Sequence, residues 1–104
     1  MEEIQTVKIQ TILVVARHDY LTSNIEKLLQ GQGFMVLCST HDEEVLKMLK
    51  SETIDLLFVG GSVEPNSKAV FTSFLAENNL STKYVEHFGG PATILTEVRE
   101  ALAH

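Results

Sequence analysis

Strand-like and helix-like hydrophobic patterns alternate along this chain, and that alternation constrains the fold more than any other feature. TILVV precedes NIEKLLQGQ, FMVLCS precedes EEVLKMLKSE, and a third apolar run, IDLLFV, ends in two glycines. Strand-helix units in series build a parallel sheet, because each return to the start of a neighbouring strand requires a crossover, usually helical. The run from Ile9 to Val15 is continuously apolar at its end, as a central strand buried on both faces should be. In such sheets, ligands and chemistry gather at the C-terminal ends of the strands.

The remaining elements follow from local signals. Leu21, Ile25, Leu28 and Leu29 recur at helical spacing, with Thr22, Ser23 or Asp19 as the cap and Gly31 and Gly33 closing the helix. The second strand starts at Phe34, and the second helix begins near Thr40 to Glu43, with its stripe on Val45, Leu46 and Leu49. After the third strand, Ile54 to Val59, the loop around Pro65 leads to a helix over about Lys68 to Asn78 carrying Val70, Phe71, Phe74 and Leu75. A last strand, Lys83 to Phe88, precedes Gly89-Gly90-Pro91, where proline suits the first turn of a final helix with Ile94, Leu95, Val98 and Leu102 on one face. With a polar lead-in over residues 1–8, no repeat and no long linker, residues 1–104 are expected to form one open α/β domain.

Charge and cysteine content narrow the function. A net charge of −6 with no basic run argues against nucleic-acid binding and against docking on anionic membranes. Nothing reaches membrane-spanning length, and MEEIQTVK lacks a signal peptide's apolar stretch, so a cytoplasmic protein is expected. The lone Cys38 permits no internal disulfide and reads as a small buried thiol at a strand end.

TILVVARHD, QGFMVLCSTHDEEVLKMLK and IDLLFV, in this order and spacing, resemble the receiver domains of response regulators, the CheY-like family. YVEHFGGPATILTEVREAL is similar to the last strand and helix of such a domain. The resemblance implies a flavodoxin-like sheet and bacterial two-component signalling. It also implies a phosphorylation centre: two acidic residues after the first strand, an acceptor aspartate ending the third, and a lysine after the last. Clustered carboxylates would hold Mg²⁺, and one of them would accept the phosphoryl group. Here the acidic pair reads Ala16-Arg17, the acceptor position reads Gly60, and Lys-Pro-Phe becomes Glu86-His87-Phe88. Asp19 lies two residues too far along, and Asp55 stands at the wrong end of its strand. The expected reading is a non-enzymatic pseudo-receiver without a cofactor, acting through protein–protein contacts.

The stretch after the third helix leaves only Leu80-Ser81-Thr82 where a receiver has another strand-helix unit. Four strands in the order 2-1-3-4 are therefore expected, one unit short. An uncovered edge strand invites pairing, so a homodimer through the last strand or the last two helices is expected.

Three polar pairs at strand ends form the alternative site: His18-Asp19, His41-Asp42 and Glu86-His87. Imidazole and carboxylate together suit Zn²⁺ or a similar ion, although the spacing fits no compact metal motif and helix capping explains Asp19 and Asp42 equally well. His18-Asp19 is also similar to the start of cobalamin-binding domains, but Leu21 stands where their glycine falls. Gly60-Gly61 reads as a tight turn, because no phosphate-loop pattern surrounds it.

Overall fold

The computed structural model describes residues 9–103. The residue 1–8 lead-in lies outside the described residues. Strands β1 (Thr11–Val15), β2 (Met35–Ser39), β3 (Leu56–Val59) and β4 (Lys83–Glu86) form one sheet in the order β2-β1-β3-β4. Every pairing is parallel. Helices α1 (Asp19–Gln30), α2 (Asp42–Ser51), α3 (Pro65–Glu77) and α4 (Ile94–Ala103) follow the four strands in turn.

Alternation along the strands assigns the two faces. Leu13 and Val15 of β1, with Leu57 and Val59 of β3, pack against Val45 and Leu49 of α2 and Phe71 and Leu75 of α3. Ile12, Val14, Leu56 and Phe58 point the other way, against Ile25 and Leu29 of α1 and Ile94 and Val98 of α4. β1 and β3 are thus sealed on both sides, which is why their sequences show no polar alternation. The expected open α/β sheet, its strand order and its two helical layers are all present.

Boundaries differ in ways local chemistry explains. β1 begins at Thr11 rather than Ile9, whose side chain is exposed. β3 begins two residues after Ile54, because Asp55 turns its carboxylate onto the Thr11 amide (2.8 Å) and clamps the start of both strands. α1 starts at Asp19, with the His18 carbonyl accepting the Leu21 and Thr22 amides. Thr22 is therefore no cap, and its hydroxyl donates back to the Asp19 carbonyl. α3 starts at Pro65, three residues before Lys68, because proline is preorganised for the first helical position. Val70, expected on the buried stripe, is exposed, and Phe71 and Leu75 carry the burial. β4 ends at Glu86, and Pro91–Thr93 form a short 3₁₀ turn before α4. Cys38 is half-buried rather than fully buried, and desolvation pushes its thiol up to about 11, far from a reactive thiolate.

The sequence resembling a receiver's last strand takes the fourth place and pairs directly with β3, with Glu86 opposite Val59. Its outer edge has no strand partner among the described residues. No helix among those residues is long and apolar enough to cross a membrane.

Candidate functional site

The C-terminal edge of the sheet gathers Ala16-Arg17, Thr40 to Asp42, Gly60 to Glu64 and Glu86-His87. Arg17 organises it. Its Nη1 donates to the Thr40 carbonyl (2.8 Å), and its Nη2 lies 2.6 Å from Asp42 Oδ1. Glu64 takes the other side of the fork, accepting from Nε at 3.1 Å and Nη2 at 2.9 Å. Ser67 accepts from Nη2 at 2.9 Å and donates its own proton to Asp42 Oδ2. The Arg17 amide donates to Ser62 Oγ at 3.1 Å.

One guanidinium therefore ties the β1–α1 loop to the entries of α2 and α3. A planar fork with five donors can serve several acceptors at fixed angles, which lysine could not do. The electrostatics are mutual. Hydrogen bonding to Glu64 leads the effects that hold the Arg17 proton more tightly than usual, against some opposing desolvation. Burial pulls the Asp42 carboxyl upward, but the Ser67 hydroxyl and the Arg17 guanidinium outweigh it and hold that group below the usual range. Glu64 is lowered mainly by its bond to Arg17.

Gly60 is buried beside this knot, its amide donating to the Val15 carbonyl at 2.8 Å. A Cβ added there would lie 3.3 Å from the Val15 oxygen and 3.4 Å from the Ala16 Cβ. A side chain there fits only if Val15 or Ala16 gives by a few tenths of an ångström, while the Val63 amide bonded to the Gly60 carbonyl (3.2 Å) forms the expected turn. Glu86, at the position where the receiver pattern has lysine, pairs with Lys68 of α3 at 3.0 Å. The same ammonium lies 5.7 Å from the centre of the exposed Phe88 ring.

The three polar pairs do not converge. His18 and Asp19 are exposed, and the His18 ring stacks on Tyr20. His41 occupies the cap position of α2 and is exposed, while Asp42 turns to Arg17. Glu86 goes to Lys68, and His87 turns its Nδ1 to Glu97 Oε1 at 2.5 Å. Among the described residues, no three of His, Cys, Asp and Glu come together as metal ligands would. Strand order explains the dispersal, because β2 and β4 lie at opposite edges of the sheet.

Sequence reasoning missed Glu64, Ser67 and Glu97. Pro65 was the available clue to the first two, since a helix starting there places Glu64 at its cap and Ser67 in its first turn. Glu97 stands four residues after Thr93, whose hydroxyl donates to it at 3.0 Å. No local pattern links it to His87.

Solved structures similar to this chain include response-regulator receiver domains. A response regulator from Thermotoga maritima is 22% identical, with a TM-score of 0.66 over 90% of this chain and 80% of that one. The signal receiver domain of an HD domain-containing protein from Pseudomonas fluorescens is 15% identical, with a TM-score of 0.66 over 100% and 94%. The beryllofluoride-activated NtrC4 receiver domain dimer is 17% identical, with a TM-score of 0.65 over 90% and 79%. No protein-family model matches the chain, and no curated protein matches its sequence. The fold is receiver-like.

Proposed function

We propose that this chain is a pseudo-receiver: a non-enzymatic, cytoplasmic domain of bacterial signalling that works through protein–protein contact without accepting a phosphoryl group. The observation that carries the reading is the pairing of Gly60 with Arg17. A phosphoryl acceptor needs a carboxylate, and Gly60 has no side chain, while crowding against Val15 and Ala16 opposes adding one. Where the receiver pattern has an acid that helps bind Mg²⁺, Arg17 supplies a fixed positive charge and Asp42 and Glu64 neutralise it. The loops that a metal and phosphate would organise are thus held by the chain's own guanidinium. Incubation with acetyl phosphate and Mg²⁺ should leave the intact mass unchanged. An adduct of about 80 Da on an aspartate would overturn the proposal.

The partner surface proposed is the β4 side, and the first partner is a second copy. The Lys83 and His87 amides donate inward to β3, so the intervening backbone at Tyr84 and Glu86 faces the open edge. One structural neighbour is described as a receiver domain dimer, which supports this mode by analogy. Light scattering at high micromolar concentration should give a dimer mass. A monomer throughout would remove the homodimer from the proposal.

A further inference from the structure

Between α1 and α4, beneath the ends of β1, β3 and β4, lies a cavity of about 320 Å³. Its walls are mainly apolar, with Leu21, Ile25 and Leu28 on α1 and Ile94 on α4. Gly60 and Gly61 contribute backbone to its lining. Asn24 of α1 stands at the exposed rim, and Ser62 and His87 bring polar side chains to the strand-end wall.

Ser62 and His87 are both prepared for a further hydrogen bond. The Glu97 carboxylate at Nδ1 fixes the imidazole orientation, and the ring stacks 5.5 Å from Phe58. In the neutral ring with its proton on Nδ1 facing Glu97, Nε2 is left as an acceptor. No partner meets Nε2 among the described residues, and it is not one of the buried side-chain atoms left without a partner. Ser62 Oγ accepts from the Arg17 amide and keeps its own proton to donate.

We propose that this cavity binds a compact, mostly apolar molecule carrying one hydroxyl, of the size and chemistry of a simple phenol. At the ~30 Å³ that one water occupies in the liquid, the volume admits about ten non-hydrogen atoms. Ligand cavities generally begin near ~300 Å³ and combine apolar walls with a few placed polar groups. The ligand hydroxyl donates to His87 Nε2 and accepts from Ser62, while the ring lies among Leu21, Ile25 and Ile94. This inference concerns the α1/α4 side and stands apart from the β4 edge and from phosphotransfer, so it survives if either of those readings fails.

The test is an amide NMR titration of the full chain with p-cresol, and separately with toluene as the probe lacking the hydroxyl. p-Cresol should give saturating shifts centred on Leu21, Ile25, Gly60, Gly61 and Ile94, and should bind more tightly than toluene. Leu21→Trp, which fills the cavity, should abolish both. His87→Phe keeps an aromatic ring but removes Nε2, and should weaken p-cresol about tenfold while changing toluene less than about twofold. Spectral dispersion reports in the same experiment whether each variant is folded, and Leu21→Trp alone decides if His87→Phe is not. Shifts that never saturate, binding that survives Leu21→Trp, or equal weakening of both probes by His87→Phe would overturn the proposal.

Discussion

Replacing Arg17 with methionine tests whether one guanidinium holds three loops together. Methionine keeps the aliphatic stem and removes the whole fork. The lost bond to the Thr40 carbonyl, 2.8 Å long on a side chain only 20% exposed, contributes about 1 kcal/mol. The Asp42 contact is shorter, at 2.6 Å, but Asp42 is 35% exposed, and solvent screening reduces it to about 0.5–1 kcal/mol. Glu64 lies in open solvent and adds nothing to the sum. The expected loss is about 1.5–2 kcal/mol, or about 10 °C in Tm for a domain of this size. Thermal and urea unfolding followed by circular dichroism measure it directly. Raising salt to about 0.5 M should narrow the gap between wild type and variant without closing it, because the Thr40 bond is not an ion pair. A variant within about 0.5 kcal/mol of wild type at low salt would refute the knot as a structural tie.

Acid should narrow the same difference without closing it, because the Thr40 carbonyl does not titrate. The folded value of Asp42 is depressed, so its contribution is complete above the ordinary value of 3.8 and is lost as pH falls through the lowered one. The gap between wild type and Arg17→Met should therefore shrink as pH falls below the ordinary carboxylate range and level off at the share of the Thr40 bond, and a gap that does not change would contradict the linkage. Tyr84→Phe removes a hydroxyl that is buried without a partner, and whose proton is held up to about 12 chiefly by desolvation. It should be neutral or stabilising by up to about 1 kcal/mol in urea unfolding, and a clear loss would reveal a partner for that hydroxyl. Phe71→Ala empties a fully buried position between α3 and the sheet and should destabilise by about 3–5 kcal/mol, measured the same way. A loss below about 1 kcal/mol there would mean that α3 does not close that face.

The central sheet was legible in the sequence because double-sided burial leaves a plain signature. Polar–apolar alternation is absent from Leu13 to Val15 and from Leu56 to Val59, and these strands are the sealed ones. Helix stripes were equally plain where one face is buried, as at Ile25 and Leu29. They misled at Val70, because α3 carries apolar residues on more than its buried face. The site was much less legible. Arg17 could be named only through the resemblance to the receiver pattern, and its partners lie 23, 25, 47 and 50 residues away. Long-range charge pairing has no periodicity to detect, and only the folded strand order shows which loops meet. The same holds for the polar pairs, whose positions at strand ends were correct while their neighbours could not be known.

The short sheet sets the last strand beside the Gly60-Gly61 turn. Inserting another strand between β3 and β4 would move the last strand outward by about 4.8 Å. As built, the His87 amide donates to the Val59 carbonyl at 2.8 Å, so His87 stands directly beside the Gly60-Gly61 turn. A Cβ at Gly61 would lie 3.6 Å from the His87 carbonyl, and one at Gly60 would press on Val15 and Ala16. An aspartate at Gly60 would thus enter a crowded corner one strand away from the Glu86 carboxylate, with Arg17 already engaged by Asp42 and Glu64. The tight fit at Gly60 comes from β1, whereas direct pairing of β3 with β4 brings His87 to the space that Ser62 and the apolar face of α1 also line.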